Sequence, residues 1–139
     1  MRIMAIDYGD AHTGIAISDP TGFLAGFTTT IGAYRPEIVM QRITELARQH
    51  GAEELVLGHP KNMDGTLGPR AEKAEAMAAL LKEATGLPVV LWDERRTTID
   101  AHQILMAGGK NAKKRKKVVD AVAASLILEG YLTYKKSHS

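Results

Sequence analysis

Asp7, Glu94 and Asp120 are the acids around which chemistry can be built, because each stands where one regular segment gives way to another. Asp7 closes the apolar run Arg2-Ile3-Met4-Ala5-Ile6, Glu94 follows Val89-Val90-Leu91-Trp92-Asp93, and Asp120 falls near the start of the last helical pattern. Carboxylates brought together repel one another, so a cluster of three is costly unless cations balance it. Mg²⁺ or Mn²⁺ supplies that balance. Hard divalent ions take oxygen ligands, keep waters and bind phosphate oxygens, and a pair of them stabilises both the attacking and the leaving oxygen in phosphodiester hydrolysis. No nucleophilic side chain is required. Each acid also has a plain structural role open to it: Asp7 in a turn, Glu94 in a surface pair with Arg95 or Arg96, Asp120 at a helix N-terminus. Asp93 competes with Glu94, since neighbouring residues of an extended strand point to opposite sides.

Composition narrows the chemistry further. A chain of 139 residues, 45% hydrophobic and 24% charged, is expected to form one soluble globular domain spanning 1–139. No apolar run approaches the ~20 residues that cross a bilayer, and Met1-Arg2 leads straight into a short strand-like run without a leader pattern. The expected compartment is the cytoplasm, with no membrane partner. With zero cysteines, disulfides, thiolate nucleophiles and cysteine zinc sites are excluded. The net charge is only +2, yet Lys110, Lys113, Lys114, Arg115, Lys116 and Lys117 crowd one segment. A lysine-rich run is ordinarily a solvated loop; beside carboxylates that hold cations it also suits a polyanion.

The elements that must position these residues follow from periodicity and punctuation. Strands are expected at 2–7, 14–19 and 22–31, joined by short links of turn composition such as Asp19-Pro20-Thr21-Gly22. Pro36 opens a helix that Gly51 stops, with Val39, Ile43, Leu46 and Ala47 on one face. A buried strand at 54–58 runs into the polar loop His59 to Thr66, a small-residue helix covers 69–84, and a fifth strand covers 89–92. A helix capped by Thr97 or Thr98 is expected through Met106. Gly108-Gly109 then opens a basic linker, and the last helix is expected over 117–134 through Val118, Val122, Leu126 and Tyr131. Three linked strands predict an antiparallel meander, and strands joined through helices predict parallel pairing. The expected fold class is therefore α/β, a mixed five-stranded sheet flanked by helices, with the ends of strands one, four and five opening on one crevice.

Four ordered blocks carry a more specific signal: Asp7-Tyr8-Gly9 with Gly14-Ile15-Ala16-Ile17-Ser18-Asp19; Gly58 to Thr66; Asp93-Glu94-Arg95-Arg96-Thr97-Thr98; and Lys117-Val118-Val119-Asp120-Ala121 before Ala123-Ala124 and Ile127-Leu128. With these blocks the sequence resembles the YqgF (RuvX) proteins, a family of Holliday junction resolvases linked to maturation of the 16S ribosomal RNA precursor. The resemblance covers essentially the whole chain and implies a ribonuclease H-like fold related to that of the RuvC resolvases. It places the family's acidic triad on Asp7, Glu94 and Asp120, which selects Glu94 over Asp93, and implies Mg²⁺ or Mn²⁺ as the cofactor.

Two departures affect substrate contact. His12 stands where the family usually has a basic residue, and His59-Pro60-Lys61 stands for the usual Leu-Pro-Leu before Asn62. RuvC-type sites carry a fourth acid one helical turn beyond the third, where this chain has Ala123 or Ala124. The implied function is a metal-dependent endonuclease, with His12, Lys61, Asn62, Arg95, Arg96, Lys113, Lys114, Arg115 and Lys117 meeting nucleic acid. The implied partners are the 16S precursor or branched DNA, and the ribosome, for a monomer or homodimer. Two alternatives stand beside it: a nucleic-acid-binding or ribosome-assembly factor without turnover, and a sugar-kinase or actin-like ATPase, for whose two-domain cleft the chain is short.

Overall fold

The computed structural model describes residues 1–19, 25–59, 68–93 and 112–137. Lys61, Asn62, Glu94, Arg95, Arg96, the helix expected through Met106 and the Gly108-Gly109 link lie outside the described residues.

Five strands form one sheet: β1 (Ile3–Asp7), β2 (His12–Ser18), β3 (Ala25–Gly32), β4 (Glu54–His59) and β5 (Val89–Asp93), in the order β3-β2-β1-β4-β5. The first three pair antiparallel, through Ala5↔Ala16 and Ile17↔Phe27 among others. β4 lies parallel to β1 (Ile3↔Glu54, Ile6↔Leu57) and β5 parallel to β4 (Leu57↔Leu91). The expected mixed sheet is thus the observed one. β1 is its central strand, which is why Ile3, Met4, Ala5 and Ile6 are all buried.

Alternation along β1 divides the core into two layers. Met4 and Ile6 join Ile15, Ile17, Leu55 and Leu57 beneath α1 (Pro36–His50) and α2 (Pro69–Thr85), which contribute Val39, Ile43, Ala74, Met77 and Leu81. Ile3 and Ala5 join Ala16, Val56 and Trp92 beneath α3 (Ala112–Ser137), which contributes Ala124, Ile127, Leu128, Tyr131 and Leu132. Each fully buried Ile or Leu contributes about 1.5–3 kcal/mol, so both layers anchor the sheet ends. Pro36 and Pro69 begin their helices, and Gly51 and Gly86 end them at φ of 67° and 71°, a left-handed conformation that glycine adopts without strain.

Several boundaries differ from expectation. β2 begins at His12, and β5 runs on to Asp93. More consequentially, α3 begins at Ala112 instead of Lys117. Lys113, Lys114, Arg115 and Lys116 therefore lie on the helix with Lys117, not in a linker, and Asp120 falls in its third turn instead of its first. The apolar periodicity starts only at Val118, but Ala, Lys and Arg are all strong helix formers and propagate the helix backward.

At the far end of α3, Glu54 is only 7% exposed at the rim of the sheet. The Tyr131 hydroxyl donates to its Oε1, and Lys135 Nζ donates to Oε2 at 2.7 Å. Burial first, and the Glu54 hydrogen bond second, raise the Tyr131 pKa above the ordinary tyrosine value. A raised folded pKa stabilises the protein below the unfolded tyrosine pKa of about 10 and loses that contribution as pH climbs above it. Tyr131→Phe should accordingly cost about 0.5–1.5 kcal/mol at pH 7, and the gap from the parent should narrow as pH rises past about 10. Urea titrations of both proteins at pH 7 and pH 10.5 measure this; a gap that stays constant would show that the hydroxyl contributes nothing through its ionisation.

Candidate active site

Asp7 is the last residue of the central strand and is only partly buried, whereas the four residues before it are fully enclosed. It continues the Ile3 and Ala5 register and so belongs to the face that α3 covers. Its cross-strand partner on β2 is Gly14. On β4, continuing Ile6↔Leu57 by one residue brings Gly58 alongside. Neither neighbour has a side chain to fill the space beside the carboxylate. Among the described residues, nothing forms a hydrogen bond or ion pair with it. The turn that follows is equally constrained: a Cβ on Gly9 would lie 2.4 Å from the His12 carbonyl oxygen, so only glycine lets the chain reverse this tightly. His12 opens β2 on the Asp7 face by alternation, and its Nδ1 is buried without a hydrogen-bond partner among the described residues.

Asp93 lies elsewhere. Trp92 and Val90 pack under α3, whereas Val89 packs under α1 and α2, so Asp93 shares the opposite face with Val89 and Leu91. Its partner in register is His59. His59 in turn sits 3.1 Å from Glu75 Oε1 on α2, which fixes that side of the sheet end as a separate polar group. The strand register thus separates Asp93 from Asp7. For Lys113, Lys114, Arg115, Lys117 and Asp120 the backbone is helical, and their side chains are outside the description.

The family described as "RuvX: Holliday junction resolvase" matches residues 1–134. This chain belongs to the RuvX family. It is 46% identical over 135 residues to a protein of Halothermothrix orenii, with 97% of this chain and 96% of that one covered. It is 44% identical over 138 residues to one of Geobacillus kaustophilus, covering 98% and 100%. Both carry the name "Putative pre-16S rRNA nuclease". Among solved structures, Thermus thermophilus RuvC in complex with a Holliday junction substrate superposes with a TM-score of 0.67 at 15% identity, over 100% of this chain and 98% of that one. That likeness establishes the fold, which is ribonuclease H-like. The family is one of nucleases named for pre-16S rRNA processing and for Holliday junction resolution.

In this RuvX chain, the donors available for a metal are oxygen and imidazole only, since there is no cysteine. Among the described residues no group of three His, Asp or Glu could hold an ion. Asp7 alone of the expected triad has its side chain described, and a carboxylate with glycine on both sides and no partner among the described residues suits a hard divalent ion. α3 adds an electrostatic feature. Its first turn has no acidic residue, and the sequence puts Lys113, Lys114, Arg115, Lys116 and Lys117 in its opening turns. Cations at a helix N-terminus oppose the dipole, so this arrangement costs stability unless an anion is bound there. Sequence reasoning took the run for a linker and missed that it shares a helix with Asp120.

Proposed function

We propose that this RuvX protein is a Mg²⁺- or Mn²⁺-dependent endonuclease of structured nucleic acid, acting on the 16S rRNA precursor as a single cytoplasmic domain. The observation that carries the reading is Asp7, partly buried at the end of the central strand, flanked by glycine and unpaired among the described residues. A protein that only bound phosphate would gain by losing that charge. Glu94 and Asp120 are the other two ligands in this reading. The support for Glu94 is that its competitor Asp93 belongs to the face of β5 opposite Asp7. Helix length supports Asp120. Tyr131 meets Glu54, the register partner of Ile3. Position 120 lies about 16 Å up the helix from Tyr131, and Asp7 lies about 13 Å up β1 from Ile3.

Asp7, Glu94 and Asp120 would hold the divalent ion, which would supply a water activated for attack on phosphorus and would neutralise the charge that builds on the phosphate. The chain's own residues orient the strand. His12, Lys61, Asn62, Arg95, Arg96 and the cations that open α3 meet phosphates, contacts that set position without reading sequence. Trimming one RNA end needs only a monomer, whereas symmetric cleavage of a four-way junction would suit a twofold dimer.

The test is purified protein with Mg²⁺ or Mn²⁺ on a 16S precursor fragment and on a four-way DNA junction, with the mass in solution measured alongside. Cleavage of the RNA is expected; cutting of the junction alone would reassign the substrate, and cutting of neither would leave a binding factor. Neutralising Lys113, Lys114 and Arg115 together should weaken binding to unrelated sequences about equally. The slope of log affinity against log salt should flatten by roughly 0.7–0.9 for each lost contact. An unchanged slope would reduce the run to a solvated helix start.

A further inference from the structure

Tyr8 follows Asp7 directly but turns to the other face of the sheet, where it packs against the α1/α2 layer. There it lines a cavity of about 330 Å³ with Tyr34, Pro36, Leu80, Lys73 and Asp10. Tyr34 is 81% exposed on the link between β3 and α1. Lys73 on α2 reaches across the mouth to Asp10, with Nζ to Oδ1 at 3.0 Å. The cavity therefore combines aromatic rings, an apolar floor and a donor–acceptor pair at its rim, and it begins one residue from the expected cleavage site.

That chemistry fits a flat heterocycle with a sugar attached. Nucleobases stack on tyrosine rings whatever their sequence, but only when they are unpaired. The volume lies at the small end of ligand pockets, about 300–1,000 Å³, which suits one nucleoside and excludes a duplex. The carboxylate of Asp10 decides between parts of the nucleotide. It repels phosphate, yet an acid beside a bound nucleoside accepts a hydrogen bond from a ribose 2′-hydroxyl, and Lys73 keeps its charge balanced.

We infer that the Tyr8–Tyr34–Lys73 cavity holds an unpaired nucleoside of the RNA strand, next to the phosphate that lies at Asp7. The inference rests on the nuclease reading and narrows it. The strand passes over the end of the sheet from the α3 face to the α1/α2 face, and a substrate without a single-stranded nucleotide flanking the cut loses this contact. The site thereby selects junctions between paired and unpaired RNA.

The experiment measures binding, so it does not depend on turnover. Fluorescein-labelled RNA hairpins with and without a single-stranded extension, and the same extended hairpin with 2′-deoxy residues in the extension, are titrated by anisotropy with parent, Tyr34→Ala and Lys73→Ala proteins in EDTA. Tyr34 is too exposed for its removal to threaten folding. Tyr34→Ala should bind the extended RNA on the order of 10 to 100-fold more weakly, with the blunt hairpin unaffected. Deoxy substitution should weaken the parent's binding. Equal affinity of parent and Tyr34→Ala for the extended RNA would overturn the inference while leaving the nuclease reading intact. Equal affinity of the parent for ribose and deoxyribose extensions would overturn its assignment to RNA. Failure of the parent to bind any of the three ligands would overturn the nuclease reading itself.

Discussion

Asp7→Asn should fold as the parent does and cleave more than ~10²-fold more slowly, since losing even an outer partner of a metal ligand costs 10–100-fold. The substitution keeps shape and removes charge at a partly buried position whose side chain has no described partner to lose. In metal-free buffer its melting temperature should equal or exceed the parent's, because in the proposed triad Asp7 would repel Glu94 and Asp120, and that charge has been neutralised. Saturating Mg²⁺ should then stabilise the parent by mass action, about 2.7 kcal/mol at 100 times the dissociation constant, and the variant far less. Glu94→Gln should behave like Asp7→Asn, whereas Asp93→Asn should keep most activity, because Asp93 lies on the other face of β5. Calorimetry with and without Mg²⁺, paired with single-turnover cleavage, reads all of these. An Asp7→Asn protein that fails to fold would make Asp7 a structural residue, and one that cleaves normally would end the three-acid mechanism.

Asp120→Glu should be nearly as damaging as Asp120→Asn. Asp120 lies in the third turn of α3, four residues before Ala124 and seven before Ile127, both fully buried. A helix docked through those residues has little freedom to shift, so an added methylene displaces the carboxylate by ~1 Å, a misplacement that can cost on the order of 10²-fold in rate. The cations at Lys113 to Arg115 are five to seven residues away on the same helix, about 8–10 Å along its axis. In the proposed reading, nucleic acid bound at those cations would grip the element that carries Asp120. Single-turnover rates with Mn²⁺ and saturating substrate separate this from binding. If both variants cleave at near-parental rates with unchanged affinity, Asp120 is a helix residue and nothing more.

Much of this molecule is determined locally and was legible for that reason. The order of strands and helices follows from apolar periods of two and of about 3.6. Helix limits at Pro36 and Gly51, and at Pro69 and Gly86, follow from the fixed φ of proline and the left-handed φ open to glycine. Asp7 was placed at a strand end by the residues on either side of it. The start of α3 was misjudged because its opening turns hold together through backbone propensity and carry no apolar stripe.

Only the tertiary structure decided which acids share a face. Asp93 and Asp7 both end strands, and the register of β5 against β4, and of β4 against β1, puts them on opposite sides. The same holds for Glu54, which sequence alone reads as an ordinary strand residue and which Tyr131 and Lys135 enclose from 77 and 81 positions away. The Tyr8, Tyr34 and Lys73 cavity has no sequence signature either, because its walls come from a strand end, a link and a helix. Periodicity constrains neighbours within one element; contacts between elements depend on pairing register and docking, which only the packed sheet fixes.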